Sequence, residues 1–244
     1  MISECKFTHY IPHVCHILQD IFVLSVLWFA QFLLSLHRKM IILAEQIMKK
    51  YIFSALLATI TMLGNSEVLP KPNIQGGKPL MESIAQRQSH RDMTADGKVS
   101  KQQLSDMLWA AWGITHDGKR TVATAMNRQE LSVYVVTPEG VSLYDAAANT
   151  LEKVSDADLR QLVGMQQFAI DCPLNILFVV DTTLQPDASM QGYTAGAASQ
   201  NVYLYCASEG LKTVLRASFA REELQKALNL PANKRVLFIQ TVGK

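Results

Sequence analysis

Arg87-Gln88-Ser89-His90-Arg91 sets two guanidiniums on either side of a small hydroxyl residue. A guanidinium is a rigid fork of donors matched to phosphate oxygens, and a serine hydroxyl or a free backbone N–H completes an oxyanion cradle. The chemistry such a spacing offers is anion capture. Taken alone, the five residues also read as a solvated Arg-rich turn, the commoner use of an isolated charge cluster. What decides between the two is the set of elements that must position them.

Those elements follow from periodicity and turn residues. Glu67 to Lys78, with Pro70, Pro72 and Gly76-Gly77, reads as an extended leader. Leu80 to Gln88 predicts a short helix that delivers the Arg/Ser cluster at its C-terminal end. Ser100 and Gln103 form a capping-box pattern, and Leu104, Met107, Leu108, Ala111 and Trp112 follow at helical spacing to Gly113. Trp109 and Trp112 on this helix read as core or interface packing.

Residues 131–137 and 141–145, separated by Pro138-Glu139-Gly140, predict a hairpin. Ser155 with Asp156 and Asp158 predicts the start of a short helix, and the apolar run 174–181 predicts a buried strand. A loop is expected from Gln185 to Tyr193. The stretch 196–214, rich in small residues at its start, predicts a closely packed helix that stops at Gly210. A helix at 221–229 and a strand at 235–242 complete the pattern. Helices and strands mix without a strict βαβ rhythm, which points to an α+β fold. No glycine-rich Rossmann or P-loop pattern is present.

The first 66 residues differ from the rest. Met48-Lys49-Lys50, the apolar run 51–63 and Gly64-Asn65-Ser66 have the three parts of a secretory signal, with cleavage expected after Ser66 and export to the periplasm as the consequence. Residues 21–36 are also apolar and are followed by His37-Arg38-Lys39. Because a signal works from an N-terminus, residues 1–47 read as an over-extended start; the alternative is a membrane anchor.

The 178 residues after Ser66 hold eighteen basic and eighteen acidic side chains, a balance that argues against nucleic acid as the partner. Only His90 and His116 remain there, too few for a His/Cys/carboxylate metal cluster, and no acid–base catalyst stands out. Cys172 and Cys206 are its two thiols, and the spacing leaves open whether they pair.

Four blocks together resemble the FMN-dependent nitroreductase-like oxidoreductases, and among them the SagB-type dehydrogenases: Arg87-x-Ser89-x-Arg91, the helix around 104–114, the segment 119–136, and 196–219 with its trailing 228–244. The likeness covers essentially everything after Leu80. It implies an α+β sandwich around a central mixed, mainly antiparallel sheet flanked by helices, paired into a homodimer whose interface forms both flavin sites. Helix 196–209 and the two tryptophans are candidates for that interface.

By the same resemblance, Arg87 and Ser89 hold the FMN phosphate and Arg91 lies toward the ribityl chain and pyrimidine edge of the flavin. Ala123, Thr124, Ala125, Asn127 and Gln129 match a segment that reaches the flavin from the second subunit. Ala217 and Ser218 match the segment whose backbone approaches the flavin's reactive edge. Lys244 stands where relatives carry further basic phosphate ligands, with Lys234 and Arg235 as alternatives. The implied activity is a ping-pong reduction of a nitroaromatic or quinone-like acceptor by NAD(P)H. An export signal is unusual beside a nicotinamide donor. The alternatives are an azoline-oxidising peptide dehydrogenase and a flavin-binding module without turnover.

Overall fold

The computed structural model describes residues 28, 31, 33, 34, 36–51 and 66–244. The chain divides into two units, residues 1–64 and 65–244. Upstream, the described residues are helical, and no helix among the described residues is long and apolar enough to cross a membrane. Most of the expected signal segment 48–66 and of the apolar run 21–36 lies outside the described residues.

The second unit is built on a seven-stranded sheet. Its strands are β1 (Ser66–Val68), β2 (Leu131–Thr137), β3 (Gly140–Asp145), β4 (Thr150–Ser155), β5 (Leu174–Asp181), β6 (Lys212–Arg216) and β7 (Lys234–Gly243). They lie in the order β1-β4-β3-β2-β5-β7-β6, and every described pairing is antiparallel. This is the mainly antiparallel sheet expected from the sequence.

Strand β5 shows why the run 174–181 is almost continuously apolar. Side chains alternate across a strand, so Leu174, Ile176, Phe178 and Val180 face one core while Leu177 and Val179 face the other. Strand β2 divides in the same way, with Leu131, Val133 and Val135 opposed to Tyr134 and Val136. The first core is covered by α2 (Lys101–Trp112) and α5 (Ala188–Glu209), through Met107, Leu108, Ala111, Ala195, Ala198 and Val202. The second is closed by α3 (Arg160–Val163) and α6 (Arg221–Ala227), through Val163 and Leu224. Helices α1 (Leu80–Gln86) and α4 (Gln167–Asp171) are short and flank the loops described below.

Several local expectations hold. The Ser100–Gln103 capping box is present in both directions, and α5 ends at Gly210 in the left-handed conformation at φ 68. Others are corrected. Ser155 closes strand β4 instead of opening a helix, because residues 150–155 complete the hairpin's outer face against β3. The expected loop at 185–193 is mostly helix: Asp187 accepts hydrogen bonds from the N–H groups of Ser189 and Met190 and starts α5 there. Strand β6 follows the stop at Gly210, in a stretch for which no element was expected. Trp112, read as core or interface packing, is buried in this chain's own core together with Val202 and Cys206 of α5. Cys172 and Cys206 are both buried and free.

Candidate functional site

Helix α1 has no side-chain cap and ends after seven residues. Arg87 follows in extended conformation, its N–H still bonded to the Ser83 carbonyl at 3.0 Å. Three residues later, the His90 N–H donates to the Thr213 carbonyl at 2.9 Å, which pins the Arg/Ser turn alongside β6. Tyr203, from α5, sits beneath the turn. Its hydroxyl accepts from the Leu215 N–H at 2.8 Å and shares a hydrogen bond with the Ser89 hydroxyl at 2.9 Å. The Arg87 guanidinium lies 5.2 Å from the Tyr203 ring centre, a cation–π distance.

Tyr203 thus ties Arg87, Ser89 and strand β6 into one unit. Tyr203→Phe removes the acceptor of the Leu215 N–H, so we expect a loss of about 1–3 kcal/mol. That corresponds to a fall of roughly 2–12 °C in melting temperature for a domain of this size. Unchanged thermal unfolding of the variant would show that the strut carries no weight.

Asp92 follows the turn and bonds Lys212 at 2.6 Å, with His90 Nδ1 at 3.5 Å. The hydrogen bond from Lys212 is the main reason its carboxyl lies below the ordinary carboxylate range. The next residues carry the end of β7 with them. A Cβ placed on Gly97 would lie 2.6 Å from the Lys244 backbone nitrogen, so only glycine permits that approach. Lys244 is thereby held against the loop that carries Arg91.

Arg91 opens onto a cleft of about 450 Å³. Its other lining residues are Met165 and Gln166, from the turn between α3 and α4, and Leu215, Arg216, Ala217 and Ser218, from the end of β6 and the loop before α6. The Ala220 N–H donates to the Leu162 carbonyl at 3.1 Å and fixes that loop to α3. The lining contains two guanidiniums and no carboxylate. Arg91 has no side-chain hydrogen bond or ion pair among the described residues, and the side-chain donors of Arg87 are likewise unengaged there.

Of the residues singled out in the sequence, the fold brings Arg91, Ala217 and Ser218 into one cleft. Arg87, Ser89 and Lys244 do not line it; Arg87 and Ser89 are linked through Tyr203 to its lining residue Leu215, and the Lys244 backbone lies against Gly97 of the loop that carries Arg91. Ala123, Thr124, Ala125, Asn127 and Gln129 do not line it. They form a knot of their own. The Gln129 N–H donates to Thr124 Oγ1 at 3.1 Å, Gln129 Nε2 to Asn127 Oδ1 at 3.2 Å, and Arg120 Nε to Gln129 Oε1 at 2.9 Å. Met126, Asn127 and Gln129 all have positive φ, between 49 and 55, a strained choice for non-glycine residues. Met126 at the tip is 85% exposed.

Sequence reading missed Tyr203, Arg216 and the Met165-Gln166 turn. Tyr203 falls among Val202 and Cys206 and resembles ordinary core. Arg216 did carry a signal: a lone cation ends the apolar run Val214-Leu215. Among the described residues no group of His, Cys, Asp and Glu could hold a metal ion.

Comparison with known proteins agrees with this architecture. Residues 84–244 match the model of the nitroreductase family. A crystal structure of a nitroreductase-type protein from Ralstonia eutropha is 33% identical, with a TM-score of 0.68 over 74% of this chain and 89% of that one. A curated nitroreductase relative from Methanocaldococcus jannaschii is 25% identical over 199 residues, 75% of this chain and 98% of that protein. The E. coli microcin synthetase McbBCD complex shares the fold at 18% identity and a TM-score of 0.57, over 77% of this chain and 81% of its own. With the family match spanning the Arg/Ser turn, the cleft and the whole sheet from β2 to β7, the chain belongs to the nitroreductase family and is an oxidoreductase.

Proposed function

We propose that the protein is an FMN-dependent oxidoreductase that takes electrons from a reduced nicotinamide and passes them to a small organic acceptor, nitroaromatic or quinone-like, in a ping-pong cycle. The observation that carries this reading is the meeting of Arg91 with Ala217 and Ser218, more than a hundred residues apart in the chain, around one cleft. The cleft fits the cofactor in kind. Its volume lies within the range of roughly 300–1,000 Å³ usual for small-molecule sites. Its lining offers guanidiniums, a hydroxyl and an amide, without a competing carboxylate.

Bound FMN supplies the hydride chemistry. The chain's residues bind and orient. Arg87 and Ser89 would hold the phosphate, Lys244 would add a second cation, and Arg91 would stand by the electron-rich edge of the ring. The Ala217-Ser218 backbone would form the wall nearest the reactive edge. None of these groups needs to transfer a proton.

We propose further that the knot at 123–129 completes the flavin site of a second copy in a homodimer. Its absence from this chain's own cleft, its strained backbone and its exposed Met126 support that reading. The SagB-type alternative, an azoline-oxidising peptide dehydrogenase, keeps the cofactor and changes the acceptor. Export through the segment 48–66 is proposed on the same footing.

The test is anaerobic addition of NADH or NADPH to the flavin-loaded protein. Bleaching, followed by recovery on adding a quinone or nitroaromatic, is expected. Flavin that stays oxidised with both nicotinamides would leave a binding module instead of this enzyme.

A further inference from the structure

Arg216 ends strand β6 and is 8% exposed, and all five of its N–H donors are engaged. Nη1 donates to the carbonyls of Val163 at 2.8 Å and Ser218 at 3.3 Å. Nη2 donates to Asn175 Oδ1 at 3.2 Å and Thr241 Oγ1 at 2.7 Å, and Nε to Thr241 Oγ1 at 3.1 Å. Every acceptor is neutral. Among the described residues no carboxylate lies within ion-pair distance of this guanidinium.

Burial pushes its pKa down to about 10, which still leaves it protonated at neutral pH. The neighbouring Cys172 thiol is pushed up by its own burial and stays uncharged, so it does not compensate. A buried charge is costly unless paired. Here four neutral acceptor groups hold a cation whose field has no internal counterpart, at a position that lines the cleft.

Hydride transfer from a reduced nicotinamide delivers two electrons and one proton, so a bound flavin gains one net negative charge. A fixed positive charge in a water-poor wall lowers the free energy of that state more than that of the oxidised one. We propose that Arg216 is a built-in cation that raises the reduction potential of the flavin held in this cleft, acting through its field and not through contact with substrate. The inference rests on the FMN reading above. The alternative role of Arg216 is mechanical, knitting the α3–α4 turn to the loop before α6 through the Val163 and Ser218 carbonyls.

Three variants separate these roles. Arg216→Gln removes the charge, and Arg216→Lys keeps it. Asn175→Asp sets a carboxylate against Nη2 and neutralises the charge while leaving the guanidinium in place, so it also serves if Arg216→Gln does not fold. The readouts are the two-electron midpoint potential of flavin-loaded protein and its affinity for sulfite, an anion that adds to oxidised flavins. In Arg216→Gln and Asn175→Asp, sulfite binding should weaken at least tenfold. The equilibrium for flavin reduction should fall by at least the same factor, which for a two-electron couple is about 30 mV. Arg216→Lys should stay within about threefold of the parent. Flavin-loaded Asn175→Asp with parental potential and sulfite affinity would overturn the proposal and leave Arg216 a mechanical tie. A parent protein that binds no flavin would instead overturn the cofactor reading itself.

Discussion

Arg87→Ala should weaken flavin binding about 10- to 150-fold. A hydrogen bond to a charged group contributes about 1.5–3 kcal/mol, and each 1.4 kcal/mol is tenfold in affinity. In this structure the Arg87 guanidinium rests over the Tyr203 ring with its donors unengaged among the described residues, so the substitution breaks no internal hydrogen bond of the side chain. The loss should therefore appear in binding more than in stability. Arg87→Lys should fall between parent and Ala, because an ammonium keeps the charge and loses the fork. Titration of apoprotein with FMN, followed by flavin fluorescence, measures the three constants. Equal affinity in Arg87→Ala and parent would remove Arg87 from the phosphate site.

Phe178→Ala should cost the fold about 3–5 kcal/mol, the usual price of truncating a buried phenylalanine. Phe178 is fully buried on β5, the strand between β2 and β7, opposite Val133 on one side and Phe238 on the other. For a domain of this size the melting temperature should drop by roughly 6–20 °C. The functional consequence runs along the same strand. Asn175, three residues earlier, is a hydrogen-bond acceptor of Arg216, so a loosened β5 also loosens the wall of the cleft. Leu184→Ala is the control, because Leu184 is about half exposed and should melt close to the parent. A Phe178→Ala variant that melts within about 2 °C of the parent would contradict the placement of Phe178 at the centre of the sheet.

The sequence was informative where one local rule dominated. A continuous apolar run marked β5, a capping box marked the start of α2, and Gly210 marked the end of α5. It was silent where tertiary pairing overrode local pattern. Residues 150–155 become a strand because β3 and β1 lie on either side of them, and Lys212–Arg216 because β7 offers an edge. In the site, the Arg/Ser turn was legible from residue type and Ala217-Ser218 from the family resemblance. Tyr203 and Arg216 were not, because each acts through partners far away in the chain: Tyr203 on Ser89, and Arg216 on Asn175 and Thr241. The segment 123–129 was legible as a motif. Its internal hydrogen bonds, from Gln129 to Thr124 and Asn127 and from Arg120 to Gln129, could be learned only from the fold.

The same contrast separates the two arginines of the cleft. Arg91 carries its donors free and Arg216 has spent all of its own on the protein, so one is equipped to bind and the other only to polarise. A ligand held between them must therefore tolerate positive potential from two directions.

The most direct test is the visible spectrum and cofactor content of the purified protein, measured before and after incubation with FMN. A yellow protein that retains close to one FMN per chain through gel filtration is the predicted result. Colourless protein that passes through the column without taking up added FMN would contradict the assignment of this cleft as a flavin site.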